Sequence, residues 1–488
     1  MKSTIYSTVS ALALLAATPA IAGDNNSTVT QSGTNAIATV NQGGSNSDSA
    51  VTQGGDANHA TINQDGSQAG GSSTVEQTGN ANTANVTQSD DGSNLDDADH
   101  VNISTVTQGG NGNTANVSQD TGTLSVTTES HVNQGGNSNT ANVTQVDDWQ
   151  YSSVDQSSDA NIANVTQGDP ALVAGDGSYG NDSYVTQGGT GGNTANVSQR
   201  SRENYSSVNQ TGASNTANVD QSGSTGNISG VTQSGTTGLA TVTQSGAVNS
   251  SGVTQSTDQN IADVAQTGNG NSSTVDQSSV HGSYTGPFPT NSAYAQVDQI
   301  GDNNDSAITQ SGGSNWAVVV QQVADNTSSI SQTGNGTYAN VSQTGASNQS
   351  TVDQSGTATN LNAAVGIRQS GDSNQSSVTQ TGIGTVLNSV ENTVDVDQSG
   401  DLNISTVAQG GTDNETRIAE SGNSNTSDVL QGGNNNHAFV DQSGNSNSSL
   451  ITQDGSLNTA NVTQSSDANA STVTQSGSGN LATVTQGM

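Results

Sequence analysis

Along this chain, valine or isoleucine recurs two residues before a glutamine, and the pair returns with a usual step of 11 residues. The series opens with Val29-Thr30-Gln31, Val40-Asn41-Gln42, Val51-Thr52-Gln53 and Ile62-Asn63-Gln64, and closes with Val484-Thr485-Gln486. Marking each such Gln gives 38 modules, one of which has Glu420 in the place of Gln. Most modules have Asn six residues before the mark. Four residues before it the side chain alternates: Ser27, Ala38, Ser49, Ala60, Ser73, Ala84 and so on. Every odd module has Ser there, and the even ones have Ala except at Val365, Val394 and Thr416. The true repeat is therefore a pair of modules, about 22 residues, whose halves sit in different surroundings.

Positions −6, −4, −2 and 0 are two residues apart, so in a strand Asn, Ser or Ala, Val and Gln share one face. A helical 11-residue repeat would instead place apolar residues three and four apart. Between strands stands Gln-x-Gly, as in Gln31-Ser32-Gly33, and the glycine is expected to supply the positive φ of a tight turn. Longer steps put their extra residues into the turns, near 65–70, 89–101, 120–127, 168–180, 278–292, 355–362 and 381–391. The pattern predicts an all-β fold: a two-sheet, cross-β-like solenoid of about 19 strand–turn–strand rungs, roughly 90 Å long at about 4.8 Å per rung.

A single valine per module is little to bury, so stacking must decide stability. A buried Gln without a partner costs about 1–3 kcal/mol. Stacked on the Gln of the next rung, its amide bonds along the axis and forms a ladder, which also fixes register. The expected ladder includes Gln31, Gln42, Gln53, Gln64, Gln77, Gln88, Gln108, Gln119, Gln464, Gln475 and Gln486. Asn82, Ala84 and Val86 are the other inward positions of one representative module. Glu420 is expected to point inward between Gln398 and Gln442, with burial raising its carboxyl pKa.

Composition changes the picture in two ways. The 488 residues are 28% hydrophobic and 2% aromatic with a net charge of −36, which by itself describes a disordered chain; the strictness at −2 and −4 speaks against that. The charge also argues against nucleic acid and anionic membranes as partners, since beyond residue 22 only Arg200, Arg202, Arg368 and Arg417 are basic apart from histidine. Residues 1–22 read as an export signal, with Lys2, an apolar run from Ala11 to Ala17, and Ala20-Ile21-Ala22 before Gly23. That leaves residues 23–488 as the repeat region of a secreted, extracellular or cell-surface protein, with no membrane-inserted segment. There is no cysteine.

No catalytic constellation, cofactor motif or metal-ligand spacing emerges, and an enzyme is not expected. His59, His100, His131, His281 and His437 are isolated in sequence. Asp90, Asp91, Asp96, Asp97 and Asp99 read as a solvated acidic loop, with a calcium site as the alternative. Outward Thr pairs at Thr28/Thr30, Thr105/Thr107, Thr241/Thr243, Thr472/Thr474 and Thr483/Thr485 support a second reading, a monomeric adhesin arm or ice-binding rod. Outward acids such as Asp155, Asp220, Asp276, Asp298 and Asp353 interrupt that array and would restrain edge pairing. The first strand begins near Asn25 and the last ends at Gln486, so strand edges that match each other are expected at both ends, which favours a homopolymer.

The repeat resembles the curlin repeat of curli-type bacterial amyloid fibres, whose motif is roughly Q-x-G-x-x-N-x-A-x-x-x-Q. Gln77, Gly79, Asn82, Ala84 and Gln88 fit its fixed positions, and the resemblance runs over residues 24–487. It implies an extracellular amyloid fibre of biofilm matrix that mediates adhesion, self-association of the subunit, a nucleator subunit, and export through a dedicated outer-membrane pore. Nineteen rungs exceed the handful in ordinary curlins, and the separate N-terminal export segment of the best-known members has no counterpart.

Overall fold

The computed structural model describes residues 24–43, 45–66, 70–90, 102–121, 127–168, 180–278, 293–356, 363–382 and 392–487. The expected export signal, the middles of the expected insertions, His100, His281, Asp91, Asp96, Asp97 and Asp99 lie outside them.

Alternation of inward and outward side chains makes each module a strand. In Ile103–Gln108, Ser104, Val106 and Gln108 are buried, whereas Ile103, Thr105 and Thr107 are half-exposed. The described residues form 38 strands. They run from β1 (Asn26–Gln31) and β2 (Ile37–Gln42) to β37 (Ala470–Gln475) and β38 (Leu481–Gln486). All odd-numbered strands belong to one parallel sheet and all even-numbered strands to the other. Each strand pairs with the strand one rung away, as β1 with β3 (Asp48–Gln53) and β2 with β4 (His59–Gly66). The chain is thus an all-β solenoid of two sheets, about 22 residues per turn.

Register never slips at the ladder positions. β11 (Tyr151–Gln156) and β13 (Asp182–Gln187) flank a long insertion, yet Val154 faces Val185 and Gln156 faces Gln187. The core between the sheets is narrow. It consists of a Val/Ile column from each sheet and the Ala column of the even sheet, including Ala84, Val86, Ala141 and Val143, all at most 1% exposed. One buried Val contributes about 2 kcal/mol, so the rest of the interior is polar.

The turns correct one expectation in part. Gly189, Gly223, Gly246, Gly268, Gly301 and Gly411 have the expected positive φ, between 70° and 120°, but at most corners, as at Gly33, Gly55 and Gly79, the glycine does not. The left-handed residue lies two positions later and is mostly not glycine: Asn35, Ala57 and Ala81 at φ 56°, 55° and 54°. Its N–H bonds to the rung below, as Ala57 N to Thr34 O at 2.8 Å and Ala81 N to Asp56 O at 2.9 Å. At those corners the glycine is needed for close approach instead. A Cβ on Gly33 would stand 1.8 Å from the Gly55 carbonyl oxygen, and one on Gly55 would stand 1.9 Å from that of Gly79. Where glycine carbonyls stack at sheet spacing, they leave no room for a side chain at that corner.

Candidate functional site

The repeated phrase ends on Gln because that amide closes a hydrogen-bonding circuit between rungs. In the odd sheet, Gln31 Nε2 donates to Gln53 Oε1 at 2.6 Å, Gln53 to Gln77 at 2.8 Å and Gln77 to Gln108 at 2.7 Å. The series continues link by link to Gln453 and Gln475. In the even sheet it runs from Gln42 through Gln64, Gln88 and Gln119 up to Gln398. It resumes from Gln442 through Gln464 to Gln486.

Beyond Gln31, the ladder Nε2 groups also donate to main-chain carbonyls on the opposite side of the core, as Gln53 to Ile37 O at 3.0 Å and Gln77 to His59 O at 3.1 Å. One amide therefore joins neighbouring rungs and both sheets, and its desolvation is compensated. The interior Gln residues are buried, and the chain of amides polarises along the axis. Donation always runs from the earlier rung to the later one.

Asn at −6 holds the corner. Asn82 N donates to Asn58 Oδ1 at 2.9 Å, and Asn82 Nδ2 donates to Gly110 O at 2.8 Å. Two further columns escaped the sequence reading. Turn Asx residues cap main-chain N–H groups of the preceding rung, as Asp56 Oδ1 accepting from Thr34 N and Asn80 Oδ1 from Asp56 N, each at 2.8 Å. On the outer even face, Asn85, Asn116, Asn142, Asn164, Asn196 and Asn218 form their own ladder at 2.8–2.9 Å. The signal was the Asn inside every TANV phrase, three residues before the mark. The five Thr-x-Thr pairs do not make one column: β1, β7 (Ile103–Gln108) and β37 hold three, while β18 (Leu239–Ser245) and β38 of the other sheet hold two.

Glu420 lies in the even ladder, 1% exposed. Its Oε2 accepts from Gln398 Nε2 at 2.9 Å and from Ser405 Oγ at 3.0 Å. Its Oε1 is buried without a partner, and the upward donation made by every Gln before it is missing. Burial raises its carboxyl pKa to about 7, against the pull of the neighbouring polar side chains of Gln398, Ser427 and Ser405. Asp395, Asp397, Arg417 and Asp441 on the same sheet occupy outward positions, so no counter-ion reaches it. Among the described residues, no group of three or more acids and histidines could hold a metal ion. His131 and His437 each meet one carboxylate, Glu129 at 2.6 Å and Glu415 at 2.9 Å.

These features define a class: a parallel β-solenoid whose interior is held by stacked side-chain amides. The particular family follows from the repeat itself. The curlin-associated repeat model matches residues 192–223, 301–334, 391–419, 422–455 and 458–487, so the chain carries curlin-associated repeats in these stretches. No curated protein matches it. Repeat type and fold together point to a structural role of curli type.

Proposed function

We propose that this protein is the structural subunit of an extracellular curli-like fibre, built by stacking the rung of one copy on the rung of another. The observation that carries this reading is the identity of successive rungs. Apart from the exceptions at Val365, Val394, Thr416 and Glu420, the rungs offer Ser or Ala, Val or Ile, and Gln inward at the same register, with amide acceptors on one edge and donors on the other. β1 and β2 are uncovered in this structure, with Val29 46% exposed, although they carry the same inward residues as buried strands. A second copy placed head to tail would continue both ladders, setting Gln475 against Gln31 and Gln486 against Gln42.

In this reading the fibre serves as biofilm matrix and adhesive, a nucleator starts it, and an outer-membrane pore exports the subunit, as the curlin resemblance implies. No helix among the described residues is long and apolar enough to cross a membrane. The test is electron microscopy and sedimentation of the purified chain over days at neutral pH. Long unbranched fibres of one rod width support the proposal. A chain that stays monomeric at high concentration contradicts it.

A further inference from the structure

Aromatic side chains are 2% of the chain, yet three tyrosines meet on the outer face of the odd sheet around Asp182. Asp182 opens β13, where its register partner is Tyr151 on one side and Tyr205 of β15 (Tyr205–Gln210) on the other. Two residues along β13 stands Tyr184, which bridges them: ring centroids lie 5.3 Å from Tyr151 and 5.6 Å from Tyr205. The carboxylate is thus bounded by a tyrosine above, a tyrosine below and a tyrosine beside it. Tyr184 and Tyr205 keep 36% and 40% of their surface exposed, so the cluster is open to solvent.

The electrostatics have one sign. Burial among the rings raises the Asp182 carboxyl pKa, and nothing opposes that shift. Burial, then the Asp182 charge, then the two neighbouring tyrosines raise the Tyr184 pKa. His131 packs on Tyr151 with centroids 5.8 Å apart and meets Glu129 at 2.6 Å. No arginine or lysine is paired with Asp182 among the described residues. An anionic partner would be repelled here.

From this arrangement we infer that Tyr151, Tyr184, Tyr205 and Asp182 form a binding site for a compact organic cation of the trimethylammonium class, such as choline. Aromatic faces attract such cations through their quadrupoles, and one carboxylate supplies the countercharge. A hard divalent metal is a poor fit because it needs several oxygen ligands. A primary ammonium is a weaker fit because its three N–H donors face rings and one carboxyl. The aromatic cluster of the even sheet lacks this arrangement. There Tyr294, Trp316 and Tyr338 succeed one another at the same strand position, 4.7 Å and 6.3 Å apart, with no acid between them.

The experiment titrates the full chain at low salt with choline, n-butylammonium and 3,3-dimethyl-1-butanol, the uncharged isostere of choline. Phosphatidylcholine vesicles are a further arm that separates surface-borne from free ligand. Binding is read by saturation-transfer NMR and calorimetry. Choline should bind about tenfold more tightly than its neutral isostere and more tightly than butylammonium. Asp182→Asn and Tyr184→Ala should each abolish that preference, whereas Tyr338→Ala should not. All three side chains point outward, so the core is untouched by these changes. Equal binding of choline and the isostere, preference retained in Asp182→Asn, or no choline binding would each overturn the inference and leave the tyrosines as mere stacking contacts.

Discussion

Glu420 is where a single residue departs from the repeat, and the departure has a calculable consequence. Its Oε1 lies where all other ladder residues have an amide nitrogen, so protonation restores the missing donor. The folded-state pKa is near 7 against an ordinary value of 4.5. For a raised carboxyl, the folded state holds the proton longer than the unfolded one, so stability falls as pH rises from about 4.5 to about 7. Below that window the residue costs nothing. Above it the full penalty applies, about 3 kcal/mol at 1.36 kcal/mol per pKa unit. Glu420→Gln should therefore stabilise the rod by about that amount at pH 8 and hardly at all at pH 4. Denaturant unfolding of both chains at the two pH values measures it; equal differences at both would place the carboxyl in water. The inward position of Glu420 was legible because the repeat counts to it. The partner Ser405 and the neighbouring Ser427 were not, since they belong to the opposite sheet and sequence spacing alone does not show how two sheets face each other.

At the scale of the rung, the strands could be read from the sequence and the turns only in part. Alternation of Asn, Ser or Ala, Val and Gln has one strand solution, and an 11-residue step repeated through the chain leaves little freedom in register. The Gln-x-Gly corner was read correctly at Gly189, Gly223, Gly246, Gly268, Gly301 and Gly411 and not at Gly33, Gly55 or Gly79, because glycine has two uses, positive φ and absence of a side chain, and a linear sequence does not say which applies. The answer depends on the neighbouring rung, a contact some 22 residues away. The outer Asn ladder was missed for a similar reason: an outward Asn looks like solvated surface until its stacking partner is in place. The turn geometry makes a paired prediction. A Cβ on Gly110 would sit 1.8 Å from the Gly136 carbonyl oxygen, whereas one on Gly109 meets nothing closer than Thr78 Oγ1 at 4.0 Å. Gly110→Ala should cost about 1–3 kcal/mol as an overpacked site. Gly109→Ala should be neutral or stabilise by up to about 1 kcal/mol through the unfolded state. Thermal or denaturant unfolding of the two variants side by side decides it, and equal losses would contradict the close-approach account.

For the whole molecule, a net charge of −36 opposes the stacking that the ladders favour. Part of it is already offset on the outer faces, where Arg200 pairs with Asp220 at 2.5 Å and Arg368 with Asp395 at 2.9 Å. Asp276 on β21 (Ser272–Gln277) and Asp298 on β22 (Tyr294–Asp302) lie in different sheets, so their charges do not stack directly. Burial raises the carboxyl pKa of both Asp298 and its sheet neighbour Asp263, with Asp298 adding to the shift at Asp263. Acidification toward pH 4 or added salt should then shorten the assembly lag, by neutralising or screening the repulsion between rods. A thioflavin time course across pH 4 to 8 checks this, and a constant lag would show that charge does not limit assembly. The central claim is that copies continue each other's sheets, rung on rung, along one axis. X-ray diffraction from aligned fibres tests it most directly: the account predicts a meridional reflection near 4.7–4.8 Å and an equatorial one near 10 Å. Aligned assemblies that lack the 4.7–4.8 Å meridional reflection, or that show it on the equator, would contradict it.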